Sequence, residues 1–188
     1  ILALTFTNKA AKEMQERVLR LLGVDDTGKK TKGVALPTMG TFHSVCAKIL
    51  RKEIPVLGYS NSFVIFDADD QLKILKEVCS ELEIGTRFPP SLFRAYISSA
   101  KNNVQTPAEF SLGLEPYMHD LASQVYLRYQ NFLFSQNGVD FDDLLMLTIK
   151  IFQNKPEVLK NYQILFKYIL VDEYQDTNPA QYLLLSLL

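Results

Sequence analysis

Tyr168-Ile169-Leu170-Val171-Asp172-Glu173-Tyr174-Gln175-Asp176-Thr177-Asn178-Pro179 is the stretch on which the fold turns. Lys167–Val171 is a short β-rich run that stops on two adjacent acids. An apolar strand of this length, ended by carboxylates, suits a parallel sheet whose carboxyl edge carries the site. The chain then stays polar for four residues. A helix restarts at Asn178-Pro179, with asparagine as the cap and proline at the first helical position.

Working outward, the same logic appears at the other end. Ile1–Phe6 is a second β-rich run, followed by N-caps at Thr7-Asn8. A helix follows with Ala11, Met14, Val18, Leu21 and Leu22 on one face and Gly23 as its stop. Residues 24–33 form a polar loop, and Val34–Thr41 reads as a strand into a turn despite Pro37. Phe42, Val45, Cys46, Ile49 and Leu50 then repeat at helical spacing as far as Pro55.

Between these ends the pattern is helical. Phe63–Phe66 is a possible short strand, after which Asp67 to about Asn137 is helix-periodic. Leu72, Leu75, Val78, Cys79 and Leu82 mark one helix and Ser91–Asn102 a second. Thr106-Pro107-Ala108-Glu109 is a capping box that opens another. Ala122, Val125, Tyr126, Tyr129, Phe132 and Leu133 mark a long aromatic-faced helix ended by Asn137-Gly138. Asp140 caps the next, with Leu144, Leu147, Thr148, Ile151 and Phe152 inward. Strand–helix units at both ends with helices between them predict an α/β fold: a partial parallel sheet interrupted by a mainly helical insertion.

Bulk properties narrow the class. Of 188 residues, 47% are hydrophobic and 22% charged, an ordinary globular balance. No apolar run is long enough to span a bilayer, and no signal-peptide pattern opens the chain. Cys46 and Cys79 lie at apolar helical positions with no neighbouring ligand, so both read as reduced core thiols, in keeping with a cytoplasmic location. The first residue is not methionine and the last run is LLLSLL, which reads as a piece excised from a longer chain. The net charge of −1 argues against a general nucleic-acid binder, but its distribution is uneven. Residues 1–60 hold ten Lys/Arg against five Asp/Glu, whereas residues 61–140 hold six against ten.

The acids at the end of the last strand carry the chemistry. P-loop ATPases place two carboxylates in this way. Asp172 is then the magnesium ligand, through water, and Glu173 orients and deprotonates the attacking water. Taken alone, the same run is equally a strand followed by an acidic turn.

The continuation decides between them. Val171-Asp-Glu-Tyr-Gln-Asp-Thr-Asn178 resembles the DExx box of the UvrD/Rep/PcrA family of superfamily-one ATP-dependent DNA helicases. Thr5-Phe-Thr-Asn-Lys-Ala-Ala11 resembles that family's motif Ia, and Gly40-Thr-Phe-His-Ser44 its motif Ib. Val139-Asp-Phe-Asp-Asp-Leu-Leu145 resembles the segment returning from its insertion. The four matches come in the family's order and span the chain. The resemblance implies a RecA-like motor domain 1A in residues 1–61 and 140–188, and an inserted domain 1B in 62–139. It implies magnesium and ATP as cofactors, with Gln175 and Asp176 supporting the ATP site. It also implies single-stranded and forked DNA as partners, with 3′-to-5′ translocation. The phosphate-binding loop GxxxxGK(S/T) is absent from these residues, so the chain by itself is expected to be inactive.

Several residues are expected to touch DNA. Phe6 offers a ring beside phosphate ligands Thr7, Asn8 and Lys9, unless Phe6 is core, Asn8 only a cap and Lys9 only a solvated charge. Thr41, His43 and Ser44 sit at a strand-to-helix turn suited to backbone phosphates, and Phe42 falls on the apolar stripe. His43 has no second ligand at metal-binding spacing. Ser98-Ser-Ala-Lys-Asn-Asn103 resembles a polar segment of domain 1B, so Lys101 and Asn102 either contact duplex DNA or form a frayed helix end. Asp67, Asp69 and Asp70, and likewise Asp142 and Asp143, read as helix-capping acids. His119 has no supporting context. The alternatives are the motor of a helicase–nuclease and a passive DNA- or protein-binding module.

Overall fold

The computed structural model describes residues 1–23 and 36–188. The polar loop and the start of the strand at Val34 lie outside them. Three parallel strands form the main sheet in the order β2 (Thr38–Thr41), β1 (Leu2–Thr5), β5 (Ile169–Val171). Leu4 faces Gly40 on one side and Val171 on the other. The central β1 is buried along its whole length, as parallel strands covered on both faces are. β2 and β5 are the edges among the described residues, and Leu170 of β5 is 63% exposed.

Four helices start at caps read from the sequence, on Thr7, Asp67, Asp140 and Asn178. Thr7 accepts from the Ala10 amide to open α1 (Asn8–Leu21), and Thr41, expected as a phosphate contact, also accepts from the Ser44 amide and opens α2 (Phe42–Glu53). Asp67 caps α3 (Ala68–Glu81). α4 spans Pro90–Asn102 and α5 spans Pro116–Ser135. Asp140 and Asp143 form a reciprocal capping box on α6 (Phe141–Asn154), which is followed by α7 (Pro156–Leu165). Asn178 and Gln181 form another such box on α8 (Pro179–Leu187). The capping box at Thr106 opens only a single 3₁₀ turn, Pro107–Glu109.

Two elements escape the sequence pattern, α7 and a strand at Gly138–Asp140. Val64–Phe66 (β3) pairs in parallel with Gly138–Asp140 (β4), so the stretch after Asn137 is a strand. Gly138 permits the pairing, because a Cβ there would collide with the Phe66 ring. This two-stranded ladder joins the points where the chain leaves and re-enters the sheet-bearing part.

The buried apolar residues form two clusters. The first joins β1, α2, α6 and α8 through residues such as Leu4, Cys46, Leu50, Ile151 and Leu184. The second joins α3, α4 and α5 through Leu75, Phe93, Ile97, Val125 and Tyr126. Both cysteines are buried and free, and burial pushes the Cys46 thiol up to about 12, which leaves it inert. No helix among the described residues is long and apolar enough to cross a membrane.

Candidate nucleotide site and nucleic-acid interface

Because β1, β2 and β5 run parallel and in register, their carboxyl ends share one edge. Thr5, Thr41 and Val171 end the three strands, and the motif residues follow each of them. The acids leave from β5, the Phe6 loop from β1 and the His43 turn from β2. Two helix N-termini, of α1 and α2, therefore lie at the edge that also presents Asp172 and Glu173. Such termini offer free amides and a positive dipole end to phosphate.

Asp172 is anchored by its own backbone, whose amide donates to Leu4 O at 3.0 Å. Glu173 follows in the left-handed region, at φ 49° and ψ 44°. For a residue with a Cβ this costs on the order of 1 kcal/mol and turns the chain sharply at the strand end. Both carboxylates are exposed. Gln175 donates its side-chain amide to the Glu173 carboxylate, and Tyr174–Asp176 close a 3₁₀ turn. Among the described residues no group of three or more His, Cys, Asp or Glu stands ready to hold a metal unaided. One or two exposed hard-oxygen donors suit magnesium that arrives with phosphate ligands of its own. An apolar groove of about 780 Å³, lined by Met14, Val18, Leu170 and Val171, reaches Asp172.

The expected DNA contacts converge on a second feature. Phe6, Asn8, Thr41, His43 and Ser44 line one cleft of about 310 Å³. Phe6 is half-buried and packs on Phe42 at 5.5 Å between ring centres, and Phe42 itself is core. Thr7, Asn8 and Lys9 are exposed. The Thr41 hydroxyl is committed to capping α2, and Ser44 Oγ donates to Thr41 O at 2.9 Å, so these two shape the turn. Gly40 is required beside them, since a Cβ would stand 2.5 Å from Ser44 Oγ. Burial holds the His43 imidazole below its ordinary pKa against the opposing pull of Asp142, so at neutral pH it offers hydrogen bonds without charge. The cleft also takes in Ile65, Phe141 and Leu144. Phe141 is 49% exposed and sits edge-on to His43 at 6.0 Å. Periodicity gave no sign of it, because Phe141 at the first position of α6 stands outside the apolar repeat that begins at Leu144.

Lys101 is a correction. It is fully buried, with Nζ 2.7 Å from Asp140 and 2.8 Å from Asp143, and it cannot meet DNA. Tyr129 donates to the same Asp140 oxygen at 2.9 Å. Burial alone would push the lysine pKa down, but the two carboxylates outweigh it and hold it protonated. Asp143 is pushed up to about 6 by burial and by the neighbouring Asp140 charge, against the pull of Lys101. Asn102 is also drawn inward, with its amide donating to Asp142 and to Ser98. His119 joins its Nε2 to the Phe110 carbonyl, well away from the cleft residues in the chain.

The whole chain, residues 1–188, matches the UvrD/REP helicase N-terminal domain. It is 46% identical to the ATP-dependent DNA helicase PcrA of Bacillus subtilis, over 99% of this chain and 24% of that protein. It is 43% identical to the PcrA helicase of Staphylococcus aureus strain Mu50, over 100% of this chain and 25% of the relative. The chain thus spans about a quarter of the length of these relatives. With the carboxylates and the cleft arranged on one sheet edge and a match along its full length, the chain belongs to the UvrD/REP helicase N-terminal domain family.

Proposed function

We propose that this chain is the first motor segment of an ATP-dependent DNA helicase, a cytoplasmic enzyme that moves 3′-to-5′ on single-stranded DNA and opens forked duplexes. The observation that supports this most is the shared sheet edge: strand ends that carry Asp172-Glu173 lie beside those that carry the Phe6–His43 cleft. A nucleotide-driven change at one strand end is then felt by the DNA track one strand away. In this reading residues 1–61 and 140–188 form the motor domain and 62–139 the insertion.

Asp172 would hold magnesium, and Glu173 would take the proton of the attacking water. Gln175 keeps the Glu173 carboxylate directed, and Asp176 supports the same loop. The bound magnesium–ATP supplies the phosphoryl group and its charge neutralisation. Phe6 stacks on a base, and Thr7, Asn8 and Lys9 with the α1 amides hold a phosphate. His43 donates to the backbone, the Thr41–Ser44 turn holds it in place, and Phe141 closes the cleft. Full-length enzyme assayed on duplexes with 3′ or 5′ single-stranded tails tests the reading. Unwinding of the 3′-tailed substrate alone, with DNA-stimulated ATP hydrolysis, is expected; unwinding from the 5′ tail overturns the polarity.

The 188-residue chain alone is expected to hydrolyse no ATP, since magnesium carboxylates without a phosphate-binding loop cannot position the nucleotide. Hydrolysis above a Glu173→Gln control would refute this. Phe6→Ala in the full-length enzyme is expected to weaken single-stranded DNA by about 1–3 kcal/mol per stacked base. The ring is half-buried, so part of the cost falls on stability. Melting measured beside a DNA titration separates the two, and a large fall in Tm with unchanged affinity assigns Phe6 to the core.

A further inference from the structure

Asn102 ends α4 on the insertion, and all of its side-chain amide is in use. Its Nδ2 donates to Ser98 O at 2.8 Å, to Asp142 Oδ1 at 3.2 Å and to Ser98 Oγ at 3.3 Å. Its Oδ1 accepts from Asn178 Nδ2 at 2.6 Å. Asn178 is the cap of α8, and its own oxygen accepts from the Gln181 backbone amide at 2.8 Å. That commitment orients the Asn178 amide: the oxygen belongs to the helix, so only the NH₂ faces the insertion. Asn102 must answer with its oxygen, which its three donor contacts on the other side require in any case.

The position of this bond gives it a consequence. The loop with the two carboxylates is fastened at one end by the pairing of β5 with β1, continued by the Asp172 amide on Leu4. Its other end is Asn178, two residues past Asp176. Between them Glu173 occupies a left-handed conformation that persists only where the surroundings hold it. Beside Asn102, buried Lys101 locks the same end of α4 to Asp140 and Asp143, so the holder is itself rigid.

We propose that Asn102 is a positioning residue for the Asp172–Glu173 loop, and that the Asn102–Asn178 bond is the contact through which the helical insertion sets the geometry of the nucleotide site. The inference rests on the helicase reading above. It makes the insertion part of the ATPase mechanism: a displacement of α4 moves the cap of α8 and with it the free end of the carboxylate loop.

The test uses the full-length enzyme and two changes. Asn178→Ser retains an oxygen that caps α8 but removes the donor to Asn102. Asn102→Ala removes the acceptor together with the donations to Ser98 and Asp142. Each is expected to lower kcat for ATP at saturating single-stranded DNA by about tenfold, the size of a typical coupling between sites. The Kd for DNA should stay within about twofold in both, and Tm within about 2 °C in Asn178→Ser, since neither the DNA cleft nor the cap is removed; Asn102→Ala also loses its donations to Ser98 and Asp142, so its Tm falls further. The double variant should be no slower than Asn102→Ala, because Asn178→Ser deletes only a bond that Asn102→Ala already lacks. Multiplicative losses in the double variant, an unchanged kcat in either single one, or a kcat loss in Asn178→Ser matched by a fall in its Tm would overturn the proposal. Wild-type enzyme without DNA-stimulated hydrolysis would overturn the helicase reading and this inference together. Wild-type turnover that Glu173→Gln abolishes and the asparagine changes leave intact would overturn this inference alone.

Discussion

Glu173→Gln in the full-length enzyme is expected to bind magnesium–ATP as the wild type does and to lose turnover by roughly 10²–10⁴-fold, about 3–5 kcal/mol of barrier. The glutamine keeps the size and one oxygen of the side chain but cannot accept a proton. The left-handed backbone at Glu173 is unaffected by the exchange, so the loop geometry is retained. Asp172→Ala differs in kind, because it removes the ligand that brings magnesium and so weakens nucleotide binding as well. Nucleotide binding followed by fluorescence, beside steady-state hydrolysis with saturating DNA, separates these outcomes. Equal turnover in wild-type and Glu173→Gln enzyme would sink the assignment of Glu173 as the base.

Lys101→Ala is expected to destabilise the chain by about 3–5 kcal/mol, the cost of leaving buried carboxylates without their cation. Asp140 and Asp143 have no access to water, and the remaining partners, Tyr129 and Gln130, donate hydrogen bonds but carry no charge. The loss should shrink as the pH falls from 7 towards 5. Asp143 already has a raised pKa of about 6, and without Lys101 it takes up a proton more readily. In the wild type the sign of the Asp143 contribution follows from the same shift. Its folded pKa lies above the ordinary 3.8, so the native state binds the proton more tightly. That contribution is present at the acid end and fades as the pH rises from about 4 through about 6. Urea melts at pH 5 and pH 7 read both effects. A Lys101→Ala protein of unchanged stability with weakened DNA binding would return the residue to the DNA surface.

The two predictions show unequal legibility. Asp172 and Glu173 could be found in the sequence because their signal is local: an apolar run, two acids, then a capped helix. Thr7, Asp67, Asp140 and Asn178 were legible as caps for the same reason, since a cap hydrogen-bonds within three residues of itself. Lys101 was misread. Its spacing from Phe93 and Ile97 puts it on the buried stripe of α4, but a lysine there is buried only if two distant acids come to meet it. Those acids lie 39 and 42 residues further on.

The sequence alone determined the α/β class, the helical block between the strand-bearing ends, the starts of α1, α3, α6 and α8, and the residue types at the candidate site. All of these depend on periodicity and on contacts a few residues long. Tertiary structure alone decided the pairing of β3 with β4, the exposure of Phe141 at the cleft, the burial of Lys101, and the bond from Asn102 to Asn178. Each joins segments dozens of residues apart, and a polar side chain carries no mark of which distant partner will satisfy it. Whether a lysine faces solvent or closes a buried triad is settled by the packing of α4, α5 and α6 around it, where desolvation makes the paired arrangement the only one that can be held.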